Sequence, residues 1–126
     1  MPYKPELTCA ISVSDFKRSV AWYQDVLGFH PVYTLEDRGW GEFQTPVPGV
    51  TVGLSQVEVG TNAGGAGGAV LTWSVEDIDA SRAAIEGKGV RFDGETRTLP
   101  GLVKLATFFD PDGNAMMFAQ SLMSPE

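Results

Sequence analysis

The sequence predicts an α+β chain: two βαβββ modules whose strands make a curved mixed sheet with a concave cup. Three observations predict it. A strand-then-helix unit runs from Ile11-Ser-Val-Ser-Asp15 through Trp22-Tyr23 to Leu27-Gly28-Phe29, and recurs from Trp73-Ser-Val-Glu-Asp77 to Gly89-Val90-Arg91-Phe92. Each copy leads into a hairpin whose turn carries Pro and Gly, Thr45-Pro-Val-Pro-Gly49 in one and Asp110-Pro-Asp-Gly-Asn114 in the other. A stretch without periodicity, Thr61-Asn-Ala-Gly-Gly-Ala-Gly-Gly68, separates the copies. Internal repetition of this kind marks paired supersecondary modules, and a glycine-rich connector is flexible.

The elements follow in order. Leu7–Val13 alternates as a strand, with Cys9, Ile11 and Val13 on one face and Thr8, Ala10 and Ser12 on the other. Asp15 is placed to cap a helix reaching about Leu27, with Phe16, Val20, Tyr23 and Leu27 on one stripe and Gly28 as the stop. Strands are expected at Pro31–Leu35, Trp40–Thr45 and Val50–Ser55. Module one thus spans about 7–56, a linker 57–68, and module two about 69–120. In module two, Ala69–Val75 reads as a strand, Asp77 or Asp79 caps a helix to about Glu86, and Gly89 ends it. Strands are expected at Val90–Phe92, Val103–Phe109 and Ala115–Gln120.

Composition bounds the function. The chain has 126 residues, one domain's worth, with 43% hydrophobic and 20% charged residues, ordinary for a soluble globular protein. Its net charge of -7 argues against nucleic acid, which needs a basic footprint, and is compatible with a cationic small molecule. No apolar run has the length of a membrane span. Met1–Glu6 carries no apolar signal core, so a cytoplasmic protein is expected. The one cysteine, Cys9, reads as a small buried hydrophobe. The one histidine, His30, reads as an exposed strand-entry residue.

The plan and these residues together resemble the glyoxalase / bleomycin-resistance / extradiol-dioxygenase superfamily, the vicinal oxygen chelate proteins. The matching stretches are Val13-Ser-Asp15, Ala21-Trp-Tyr23 and Leu27-Gly-Phe29, then Val75-Glu-Asp77, Gly89-Val90 and Phe109-Asp-Pro-Asp-Gly-Asn114. The resemblance spans about residues 7 to 120. It implies a ligand in the cup and a homodimer. In metal-dependent members it implies a divalent ion held by His or Gln on each module's first strand and Glu or His on its last.

The repeat serves as a ruler for those positions. Asp15 and Asp77 mark Thr8 and Val70 on the first strands. Laying Gly49 on Gly113 marks Gly53 and Met117 on the last strands. None of these four is a donor for a catalytic divalent ion. The neighbouring Ala10, Ser12, Thr51, Ser55, Thr72, Ser74, Ala115 and Ala119 supply no strong ligand either. No metal and no cofactor are therefore expected.

The cup would then be lined by small and apolar residues, suited to a small-molecule ligand. Thr8, Ser12, Tyr33, Trp40, Gly53, Thr72, Thr107 and Met117 are the candidate ligand-binding residues. Glu42 is the candidate catalytic residue, an ionisable group able to neutralise a cation or to act as general base. Its face stays open: a carboxylate under the helix is costly, but laying Phe43 on Thr107 would send Phe43, not Glu42, toward the cup. The equivalent strand presents Leu105, Thr107 and Phe109, or else Lys104, Ala106 and Phe108. Phe92 and Phe108 join Tyr33 and Trp40 as rings able to stack on a ligand. Arg38 and Arg97 lie at strand ends or loops, where they could meet an anion.

Four readings remain: a metal-independent binding protein of the bleomycin-resistance type, a metal-free lyase or isomerase using Glu42, a metal enzyme with atypical ligands, and an association subunit. The partner expected in the first is a cationic or aromatic small molecule, with no nucleic acid and no membrane.

Overall fold

Each predicted helix forms where an aspartate can cap it. The computed structural model describes residues 1–57 and 69–123. Asp15 precedes α1 (Phe16–Asp25) in extended conformation, and its carboxylate accepts from the Arg18 amide at 3.1 Å. Asp77 does the same for α2 (Ile78–Glu86), accepting from the Ala80 amide at 3.1 Å. Each helix has a second cap from a distant strand. The Gln56 side-chain oxygen accepts from the Phe16 amide, and Gln120 from the Ile78 amide, each at 2.8 Å. These bonds satisfy first-turn amides that have no partner within the helix. Gly28 and Gly89, beyond the two helices, take φ values of 74° and 87°, a conformation that favours glycine.

The chain divides into two compact units, Met1–Gly64 and Gly65–Glu126. In the first, β1 (Leu7–Val13), β2 (His30–Leu35), β3 (Trp40–Gln44) and β4 (Val50–Gln56) form a sheet in the order β1-β4-β3-β2. β1 and β4 are parallel, and the other pairs are antiparallel. A single 3-10 turn, Glu36–Arg38, joins β2 to β3. α1 packs on one face, over Val13, Phe43, Val52 and Leu54, all fully buried with Phe16 and Tyr23 beneath the helix. Burying each large apolar side chain contributes about 1.5–3 kcal/mol.

The second unit repeats the order as β5-β8-β7-β6, from β5 (Leu71–Ser74), β6 (Arg97–Leu99), β7 (Val103–Phe109) and β8 (Ala115–Ser121). α2 lies against β7 and β8. Its core holds Ile78, Ile85, Ala106, Phe108, Met116 and Phe118. Phe108 lies 5.5 Å from Phe92 and 4.7 Å from Phe118, ring centre to ring centre.

Three expectations need correction. The strand expected at Val90–Phe92 is only one bridge, Phe92 to Phe108; the full strand is Arg97–Leu99, after Gly94 turns the chain at φ 71°. Arg97 is the first residue of that strand, at a strand end as expected. Phe92 and Phe108 belong to the core ring cluster rather than to a free stacking surface. The laying of Phe43 on Thr107 also fails: Phe43 pairs with Val52 and Phe108 with Met116, so these two phenylalanines are equivalent. The reason is turn length. Four residues separate Thr45 from Val50, but three separate Asp110 from Asn114. The expected linker falls largely on residues 58–68, outside the described residues.

Candidate functional site

One face of each sheet carries no helix, and the strand registers define what stands on it. In the first unit three rows cross the sheet. Thr8, Thr51, Gln44 and His30 form one; Ala10, Gly53, Glu42 and Tyr33 the next; Ser12, Ser55, Trp40 and Leu35 the third. Side chains alternate between faces along a strand, so buried Phe43, Val52 and Leu54 send Glu42 and Gly53 to this face. Thr8, Ser12, Tyr33, Trp40, Glu42 and Gly53, all named from the sequence, share it.

The middle of this face is built around Trp40. A Cβ on Gly53 would lie 3.0 Å from both Cζ2 and Cζ3 of the indole and closer still to Cη2. The six-membered ring therefore leans into the space a side chain would fill. At its other end the indole Nε1 donates to the Tyr33 hydroxyl at 2.8 Å. The indole thus spans β3, its nitrogen toward β2 and its benzo edge toward β4. Glu42 stands between Tyr33 and Gly53 in the same row, half-buried. Among the described residues, no hydrogen bond or ion pair engages its carboxylate. One flank is tied by the Thr8 and Thr51 hydroxyls, 2.8 Å apart.

This arrangement has a definite chemistry. The indole's single N–H is spent on Tyr33, so the side chain offers a ligand its π surface. The Tyr33 hydroxyl, accepting that bond, keeps its proton to donate outward. Glu42 offers acceptors. Aromatic contact, one donor and one carboxylate converge on one patch.

In the second unit Thr72, Met117 and Thr107 form a single row. Thr72 is exposed and donates to the Val70 carbonyl at 3.2 Å; Met117 and Thr107 are half-buried. Of the two alternatives for β7, the helix-free face takes Leu105, Thr107 and Phe109, because Ala106 and Phe108 are buried toward α2. By register Glu42 is the counterpart of Thr107, Gly53 of Met117 and Trp40 of Leu105.

Sequence reasoning missed His30 and Leu35 as members of the first unit's face. Simple alternation puts His30 and Tyr33 on opposite faces, but a bulge between Pro31 and Tyr33 brings both to one. The bulge carries no sequence signal beyond Pro31. Arg91 was also missed; it stacks on Phe109, with its guanidinium carbon 4.4 Å from the ring centre.

The divalent-ion positions can be tested on the residues themselves. Gly53 pairs with Ala10, and Met117 with Thr72. None supplies an imidazole, carboxylate or thiolate. Thr8 and Val70, the first-strand positions, add one hydroxyl already bonded to Thr51 and one apolar side chain. Among the described residues no three His, Cys, Asp or Glu side chains gather. The family's metal set does not fit these residues.

Comparison with known proteins agrees with the topology. No curated protein sequence matches the chain. Among solved structures, a glyoxalase/bleomycin resistance protein/dioxygenase superfamily member from Sphaerobacter thermophilus DSM 20745 matches with TM-score 0.79 and 24% identity over 96% of this chain and 98% of that one. TnmS3, an antibiotic binding protein from Streptomyces sp. CB03234, matches with the same score, identity and coverages. A lactoylglutathione lyase from Agrobacterium tumefaciens matches with TM-score 0.74 and 16% identity over 97% of each chain. At these identities the likeness is one of fold. The family model for the Glyoxalase/Bleomycin resistance protein/Dioxygenase superfamily matches residues 7–118, nearly the whole chain. With the doubled βαβββ order in the structure, that match settles the family: the chain belongs to the Glyoxalase/Bleomycin resistance protein/Dioxygenase superfamily.

Proposed function

We propose that the protein is a metal-independent small-molecule binding protein whose ligand rests on the helix-free face of the first unit. The observation that carries this reading is the indole of Trp40, leaning over Gly53 and tethered to Tyr33 beside the half-buried Glu42. A ligand with an aromatic plane would stack on the indole, and an ammonium or N–H group would meet Glu42. Thr8 and Ser12 border that contact, and Thr72, Thr107 and Met117 are proposed as contacts on the second unit's own free face. An antibiotic binding protein among the fold relatives supports a sequestering role. The misfit of the metal positions supports independence from metal. The reading includes a cytoplasmic homodimer, with neither nucleic acid nor membrane as partner. Among the described residues no helix is long and apolar enough to cross a membrane.

Tryptophan fluorescence, titrated with cationic glycopeptides and planar aromatic amines, tests the reading. Saturable quenching that disappears in Trp40→Phe is expected; no response across the panel would sink it. Elemental analysis after exposure to zinc, nickel, manganese and ferrous iron should find no stoichiometric metal. Sedimentation should give the mass of two chains.

Glu42 also favours a second reading, a metal-free lyase or isomerase in which it moves a proton. A half-buried carboxylate without a protein donor is available as a base. Glu42→Gln separates the two: lost turnover with retained binding indicates the enzyme, weakened binding with no turnover the binder.

A further inference from the structure

The second unit holds two arginines stacked on phenylalanine rings, and they differ in one respect. Arg82 lies over Phe92 with its guanidinium carbon 4.4 Å from the ring centre. The edge of that guanidinium is occupied: it donates to the Thr96 hydroxyl at 3.2 Å and the Gly94 carbonyl at 2.7 Å, and pairs with Glu86 at 3.3 Å. Arg91 lies over Phe109 at the same 4.4 Å. Its side chain is exposed, and among the described residues no acceptor engages it. Arg82 fastens α2 to the loop before β6. Arg91 stands at the same distance from its ring, and its side chain is exposed.

We propose that Arg91 is an anion-binding residue on the helix-free face of the second unit, and that its ligand is a monoanionic carboxylate. Three points on the structure carry this. The ring lies against the guanidinium and limits its movement, so less side-chain freedom is lost when a ligand binds. The backbone at Arg91 is fixed too, because its carbonyl accepts from the Phe109 amide at 3.2 Å. A stacked guanidinium keeps its in-plane N–H fork, which matches the two oxygens of a carboxylate.

The surroundings choose a carboxylate over a phosphate. Asp93 follows on the same bridge, its amide bonded to the Thr107 carbonyl at 2.8 Å, and the chain carries a net charge of -7. A dianion meets more repulsion there than a monoanion. The Thr107 hydroxyl, on the same face one step along β7, is a further donor. Anion binding at Arg91 shares Thr107 with the contacts proposed above but does not require a ligand at Trp40, so it can hold where that reading fails.

The test is a side-chain NMR titration of the isotope-labelled protein with sodium benzoate, and separately with inorganic phosphate. Benzoate should shift the Arg91 Nε–H and Phe109 ring signals saturably, while Arg82 stays unmoved. Phosphate should bind at least about threefold more weakly at equal ionic strength. Arg91→Gln should weaken benzoate binding by about tenfold or more, and Arg91→Lys should recover only part of it because an ammonium lacks the fork. An unchanged thermal midpoint in Arg91→Gln confirms folding, since this side chain is exposed. The proposal is overturned if no saturable shift appears, if the shift survives in Arg91→Gln, or if Arg97 responds as strongly as Arg91. Tighter binding of phosphate would overturn the choice of ligand.

Discussion

Adding one methyl group at Gly53 should disturb the face and reveal what holds Trp40. The new Cβ would lie 3.0 Å from Cζ2 and Cζ3 of the indole, against about 3.5–4.0 Å for carbon atoms at optimal separation. The ring must retreat by about an ångström, since Cη2 is closer still. A displacement of that size disturbs the 2.8 Å bond between the indole Nε1 and the Tyr33 hydroxyl. Overpacking costs about 1–3 kcal/mol, and loss of a half-exposed hydrogen bond adds about 0.5 kcal/mol. Against this, alanine gains about 0.5–1 kcal/mol over glycine in a strand. Gly53 is not among the positive-φ glycines, so alanine fits its backbone. Gly53→Ala should therefore destabilise by about 1–2 kcal/mol net. In a Trp40→Ala background the same change should be neutral or stabilising by up to about 1 kcal/mol. Urea denaturation of the four proteins closes a double-mutant cycle with a coupling of about 2 kcal/mol. Equal effects in both backgrounds would refute the placement of the indole over Gly53.

Other outcomes follow from single contacts. Ser19 is fully buried in α1, and among the described residues its hydroxyl has no partner, so Ser19→Ala should raise stability by about 1 kcal/mol in urea denaturation. Gln56→Ala and Gln120→Ala should each lower it by about 1 kcal/mol, in similar measure because both side chains cap a helix at 2.8 Å. Arg82→Ala should cost about 1–2 kcal/mol, as three polar contacts and a ring contact go together, and Arg82→Lys should restore less than half. Added zinc should leave the thermal midpoint unmoved, because a metal bound to the native state would raise it.

What was legible in the sequence followed from periodicity and from local chemistry. β1, the Asp15 cap and the β7–β8 hairpin are set by alternation and by side chains within a few residues of the backbone they serve, whereas the second cap was readable only as Asp77 or Asp79, of which Asp77 takes it. The glutamine caps were not legible, because Gln56 and Phe16 are brought together only by the pairing of β1 with β4. The site was readable in membership more than in arrangement. Period-two alternation could put Thr8 and Ser12 on one face, but the face of Glu42 hung on the length of one turn. Val90–Phe92 shows the limit from the other side. Its apolar alternation is real and buries Val90 and places Phe92 in the ring cluster, yet a single bridge was enough to achieve that. Burial pattern alone does not distinguish a strand from an extended segment pinned at one point.

The registers now make the two modules comparable position by position, and the comparison has a direction. On the helix side the equivalents are alike in kind: Phe43 with Phe108, Val52 with Met116, Leu54 with Phe118, each pair apolar and buried. The capping equivalents are identical, Asp15 with Asp77 and Gln56 with Gln120. On the helix-free side the equivalents differ in chemistry: Glu42 against Thr107, Gly53 against Met117, Trp40 against Leu105, Leu35 against Arg97. Packing under the helix can explain the first set, because a buried position accepts little besides an apolar side chain of suitable volume. It cannot explain the second, since a threonine would sit on a half-exposed strand as well as a glutamate does. A carboxylate, a ring and the glycine that makes room for that ring are features a scaffold does not require. Their concentration on the free face of the first module, with an arginine that no acceptor among the described residues engages on that of the second, is what the proposed ligand binding would require.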